Sequence, residues 1–267
     1  MSTRRFGFTL IEVALFLAIT GLLFVGIAVG TQNSIFQQRF NDAVQNFAEF
    51  LRSAYSEVSN VRNEGKGRSD MAIYGKLITF GEDADLAGHG SNEGFLTGSA
   101  AFSYNVIAKA DTEGVGSGDL LQTLADLDAN VVVDDGDGYK AAGFAYDYKP
   151  RWSSAIQNTD DKNSFVGALL IVRHPDSGTI YTYVMKGKTI QVNLAVNNPT
   201  NSELNPLMPF LENSNDFKIE SVDFCINPNG LDQGGLRRDV RIVKDARNGS
   251  GVEIIGDGVD DQCKRLD

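Results

Sequence analysis

The chain has 267 residues, 42% of them hydrophobic and 22% charged, and its 24 Lys and Arg against 35 Asp and Glu give a formal net charge of −11. That acidic surplus disfavours nucleic-acid binding through a phosphate-neutralising surface, and no Walker loop, nucleophile elbow or His-Glu-x-x-His pattern speaks for an enzyme. Gly114-Val115-Gly116-Ser117-Gly118 lacks the spacing and the preceding strand of a dinucleotide fingerprint. The first predicted element is an apolar run from Phe8 to Gly30 behind the pair Arg4-Arg5, long enough to cross a bilayer as a helix, which takes about 20 residues. Its one charge is Glu12, and a carboxylate inside a membrane segment is costly enough to mark a function. A secretory signal accounts for the Arg pair and for Ala28-Val29-Gly30 as a small-residue exit, but neither for the length nor for the acid. A plain anchor explains the length and the Arg pair by the positive-inside bias, and leaves Glu12 unexplained.

The string Gly7-Phe8-Thr9-Leu10-Ile11-Glu12-Val13 closely resembles the processing site of type IV pilins and type II secretion pseudopilins. That resemblance implies a basic leader, residues 1–7, cut by a prepilin peptidase between Gly7 and Phe8, followed by N-methylation of Phe8. Loss of Arg4 and Arg5 with the leader would make the charge two units more negative. Glu12 becomes the fifth mature residue and faces the Phe8 amine of a neighbouring subunit. At 4 Å such a pair is worth about 4 kcal/mol at an effective dielectric of 20, while an unpaired carboxylate at a membrane centre costs about 2.5 to 3.5 kcal/mol. Pairing therefore favours docking into a filament. Thr20-Gly21-Leu22-Leu23 falls where such pilins often carry a glycine-containing turn of helix, and Gly26 with Gly30 makes a small-xxx-small spacing for close helix approach. Many family members have a proline later in this segment; here Val29 stands in the region and no proline precedes Pro150.

Beyond Gly30 the pattern turns amphipathic. Phe36, Phe40, Val44, Phe47, Leu51, Ala54 and Val58 recur every three or four residues between polar positions, which continues the helix over 31–64 to a stop at Asn63-Glu64-Gly65-Lys66-Gly67. At 1.5 Å per residue, Phe8 to Asn63 spans roughly 80 Å, and the apolar stripe needs a partner. A head over 65–267 is expected to supply it. Strands are predicted at 72–80, 141–148, 165–172, 179–185, 190–196, 217–226, 236–243 and 252–255 from their β-branched and aromatic runs, with a hairpin at Pro175-Asp176-Ser177-Gly178. The Gly-, Ser- and Asp-rich region 81–138 reads as an insertion or loop lobe with one helical stretch at 120–127.

Two cysteines, Cys225 and Cys263, suit a disulfide in an exported protein. The pilin resemblance also implies such a carboxy-terminal staple, worth about 3 to 4 kcal/mol on the chain-entropy model; two free thiols are the alternative. His89 and His174 have no ligand-like or base-like spacing to either. Asp134, Asp135 and Asp137, and Asp257, Asp260 and Asp261, sit on glycine-bent stretches whose oxygens would suit calcium, as solvated turns also would, and neither cluster has the full EF-hand spacing. No other cofactor is expected. Arg237, Arg238, Arg241, Lys244 and Arg247 form the densest basic stretch, either a solvated strand face or an adhesive or DNA contact.

Together these readings predict an α+β, pilin-like chain whose long amino-terminal helix, half membrane-spanning and half amphipathic, packs on a β-rich head. The resemblance implies a structural subunit of a type IV pilus or related filament, a minor pilin by its size and by the 81–138 region. Closing segments Val222 to Gly230 and Gly251 to Ile255 loosely resemble those of pre-tip minor pilins and pseudopilins. Implied partners are the prepilin peptidase, other pilin subunits, an inner-membrane assembly platform and membrane lipid before assembly. The implied location is the cytoplasmic membrane with the head outside, then an extracellular or envelope-spanning filament. A type II secretion pseudopilin and a membrane-anchored binding protein that never polymerises are the alternatives.

Overall fold

A computed structural model describes residues 9–60, 71–82, 99–109, 119–134, 139–140, 146–148, 154–158, 166–188, 190, 205–212, 215–228 and 238–256. The chain divides into two compact units, Met1–Asp42 and Ala43–Asp267, and helix α1 (Leu10–Ser59) has residues in both. Over residues 10–30 α1 is apolar on every side apart from Glu12 and Thr20, and Leu10, Phe16, Leu22 and Phe24 are all exposed. The helix includes a stretch long and apolar enough to cross a membrane.

The second unit is α+β. Its larger sheet contains β1 (Met71–Glu82), β2 (Ser99–Lys109), β3 (Asn130–Asp134), β4 (Tyr139–Lys140), β5 (Tyr146–Tyr148), β7 (Val166–Arg173), β8 (Ile180–Lys186) and β9 (Phe217–Lys218). The strand order is β4-β3-β2-β1-β7-β8-β9, with β5 also paired to β2. A smaller sheet, in the order β12-β11-β10-β6, uses β6 (Ser154–Asn158), β10 (Val222–Pro228), β11 (Arg238–Ile242) and β12 (Val252–Ile255). Every described pairing is antiparallel.

The large sheet is covered on both faces, which explains the unbroken apolar run of β7. Successive side chains point to opposite sides of a strand. Ala168, Leu170 and Val172 join a cluster with Leu77, Tyr104 and Tyr183, closed by Leu121 and Leu124 of α2 (Leu120–Asp126) and Leu211 of α3 (Met208–Glu212). Leu169 and Ile171, equally buried, face the other way. There the second part of α1 buries Val44, Phe47, Leu51, Ala54, Tyr55 and Val58, the expected stripe widened by Tyr55. Phe224 of β10 joins the layers: its ring centroid lies 5.4 Å from that of Phe47 and 5.0 Å from that of Phe80 in β1.

At Gly75 the register between β1 and β2 shifts, and a Cβ there would stand 2.2 Å from the Ile171 carbonyl oxygen. Only glycine lets the two backbones approach so closely.

The region 81–138 is organised differently from the expected loop lobe. It supplies β2, paired along the whole length of β1 from Met71↔Lys109 to Glu82↔Ser99, and β3 beside it. Ser99-Ala100-Ala101-Phe102-Ser103 has little strand propensity of its own; pairing between distant segments and complete burial of Ala101 and Ala108 decide its conformation. Helix α2 lies where the helical stretch was predicted. The predicted strand 217–226 is interrupted, giving β9 and β10; of 141–148 only Tyr146–Tyr148 is a described strand, and of 190–196 only Ile190 is described. The hairpin at 175–178 forms between β7 and β8, closed by His174 N–H to the Thr179 carbonyl at 2.8 Å and Gly178 N–H to the His174 carbonyl at 2.9 Å.

Candidate functional site

The start of α1 is built around Thr9 and Glu12. The Thr9 main-chain N–H and hydroxyl both donate to Glu12 Oε2, at 2.9 and 3.0 Å, and the Glu12 N–H donates back to Thr9 Oγ1 at 3.3 Å. Val13 N–H bonds the Thr9 carbonyl at 3.3 Å, opening the helical ladder. This is a capping box: a threonine N-cap and a glutamate three residues on satisfy each other's main-chain donors at a helix end that has no intrahelical partners. Thr9 was missed as a functional residue, although the signal, Thr-x-x-Glu before an apolar run, is present at Thr9-Leu10-Ile11-Glu12.

Both recorded bonds to the carboxylate end on Oε2, and among the described residues Oε1 accepts none. The site is exposed. Further along, the only other polar side chain between Leu10 and Gly30 is Thr20, whose hydroxyl donates to the Phe16 carbonyl at 2.8 Å. That arrangement satisfies the hydroxyl without water, as a hydrocarbon environment requires. A Cβ added at Gly21, Gly26 or Gly30 would meet nothing within the chain. The described structure thus gives no internal packing reason for these glycines.

Gly7 and Phe8 lie outside the described residues, as do Cys263, Asp135, Asp137, Asp257, Asp260, Asp261, His89 and Arg237. Asp134 is the last residue of β3, and among the described residues no group of three or more His, Cys, Asp or Glu could hold a metal ion. Cys225 is buried in β10 opposite the buried Asp239 of β11, and no described cysteine is free. His174 is spent on its own turn, where Nδ1 faces the N–H groups of Asp176 and Ser177 at 3.2 and 3.4 Å. The basic stretch is not a uniform patch: Arg241 pairs with Asp223 across β10 and β11 at 2.5 and 3.3 Å, while Lys244 and Arg247 are exposed.

Comparison with family models, with curated proteins and with solved structures found no match to this chain. The arrangement at Thr9 and Glu12 therefore stands on its own geometry. It presents a single carboxylate, held in place by its own helix end, at the head of an exposed apolar stretch of α1.

Away from this end, the notable titratable group is Tyr55 of α1. Its hydroxyl meets Thr182 Oγ1 of β8 at 2.7 Å, and Thr182 donates to the Ala246 carbonyl at 2.9 Å, so Tyr55 is the donor to Thr182. Burial pushes the Tyr55 hydroxyl up to about 12. This relay ties the helix, the large sheet and the turn before β12 together, and it is structural.

Proposed function

We propose that the chain is a non-catalytic subunit of a type IV pilus or related filament, in the role of a minor pilin. It is inserted in the cytoplasmic membrane as a prepilin with its head outside, cut after Gly7 by a prepilin peptidase and N-methylated at Phe8. Glu12 then pairs with the Phe8 amine of a neighbouring subunit as an assembly platform extracts the chain into the filament. One observation carries this reading: the only carboxylate in the otherwise apolar, exposed stretch 10–30 lies four residues after Phe8, in the string Gly7-Phe8-Thr9-Leu10-Ile11-Glu12. A charge costly in lipid is relieved by a donor from a neighbour, which a plain anchor would not need. The head, with Cys225 and Cys263 as its expected staple, is the part left outside.

Glu12→Val tests this. In cells carrying the assembly machinery, the variant should be inserted and cleaved like the parent but absent from sheared filaments. Incorporation at parental levels would refute the assembly role, and a mature protein retaining Met1 would refute the processing.

A further inference from the structure

The turn that leads into β12 places Asn248 directly before Gly249, and each residue is there for a structural reason. Asn248 is exposed and extended, with φ −159° and ψ 175°, and its Oδ1 accepts both the Ser250 N–H at 2.9 Å and the Ser250 hydroxyl at 2.5 Å. The Gly251 N–H donates to the Asn248 carbonyl at 3.1 Å. A Cβ at Gly249 would lie 3.3 Å from Cβ and 3.4 Å from Cγ of Arg52, whose Nη2 donates to the Val252 carbonyl at 2.8 Å. A cap needs the side-chain oxygen, and the close approach to α1 leaves little room for a side chain at 249. The two demands together create an Asn-Gly bond, in which the main-chain nitrogen following the amide is least hindered.

We infer that Asn248 is a site of spontaneous deamidation. The Gly249 nitrogen attacks Cγ of Asn248; the new N–C bond forms as the carbonyl electron pair moves onto Oδ1, toward which both Ser250 donors already point. Such donors stabilise charge where it develops. The intermediate collapses by breaking the Cγ–Nδ2 bond, and Nδ2 leaves as ammonia with the proton that Gly249 gives up. Water then opens the succinimide at either carbonyl, giving aspartate or isoaspartate at 248 with no other reactant. Aspartate keeps a capping oxygen. Isoaspartate adds a methylene to the main chain, which shifts Gly249 off Arg52 and strains the Arg52 tether to Val252.

The test is peptide mapping of the full-length protein after extended incubation at mildly alkaline pH, with a urea-unfolded sample as reference. The peptide carrying Asn248, resolved from the one carrying Asn229-Gly230, should gain the mass that marks NH2 replaced by OH and become a substrate for isoaspartyl methyltransferase. Ser250→Ala should slow the folded reaction roughly fivefold, the weight of one hydrogen bond to the developing oxyanion, without slowing the unfolded one. The proposal is overturned if Asn248 stays intact in the folded chain while the unfolded sample converts. It is equally overturned if Ser250→Ala leaves the folded rate unchanged or raises it, since the cap would then protect the amide.

Discussion

Replacing Thr182 with valine should be far more damaging than its size suggests. The side chains are nearly isosteric, but Thr182→Val removes the acceptor for the Tyr55 hydroxyl and the donor to the Ala246 carbonyl together. Tyr55, Thr182 and Ala246 are all buried, and each buried polar group left without a partner costs about 1–3 kcal/mol. The variant should therefore lose about 2–5 kcal/mol, or about 5–15 °C in Tm for a domain of this size. Tyr55→Phe leaves the bond from Thr182 to Ala246 in place and should cost only about 1 kcal/mol. The double variant orphans the Ala246 carbonyl alone, so it should be less destabilised than the sum of the two, or even than Thr182→Val by itself. Urea unfolding of the four proteins at constant m-value provides the comparison. Additive losses, or a Tyr55→Phe cost equal to that of Thr182→Val, would refute the relay.

Two further outcomes follow from the described contacts. The Tyr55 hydroxyl titrates near 12 in the folded chain against an ordinary 10.0, so its contribution is whole below pH 10 and is lost as pH rises toward 12. Over that window, thermal stability should fall by on the order of 3 kcal/mol from this group. Tyr55→Phe should flatten part of the slope; an unaltered alkaline profile would contradict the assignment, allowing that Tyr74, Tyr104 and Tyr183 are also raised by burial. At the other end of α1, Thr9→Val should speed hydrogen exchange of the amides at 10–13 and leave the second part of α1 unchanged, while Thr9→Ser should preserve protection. Equal exchange in Thr9→Val and the parent would remove the capping box.

What could be read from the residues depended on how local the cause was. The apolar stretch and the stripe from Val44 to Val58 are visible because helical periodicity is a property of neighbouring residues. β7 and β8 are visible because their runs are apolar and β-branched. β2 is not, since the alanines at 101 and 108 carry no strand signal and take their conformation from β1 and from the space available between layers. At the candidate site, Glu12 stood out by its charge. Thr9 did not, because a hydroxyl in a near-membrane sequence reads as neutral until its bonds to Glu12 are seen. Tyr55 and Thr182 were out of reach for another reason: nothing local connects residues 127 positions apart.

That same relay bears on the order of events during synthesis. Tyr55 is made early, its partner Thr182 follows 127 residues later, and the Ala246 carbonyl that orients Thr182 comes 64 residues after that. Closing such long loops is entropically slow, and translation delivers the three participants in that order, Ala246 last. A ribosome-bound chain that stops short of Ala246 lacks the acceptor that sets the Thr182 hydroxyl. The β-rich unit should therefore lock only after the turn that carries Ala246 has emerged, leaving the apolar amino-terminal segment to engage its surroundings first.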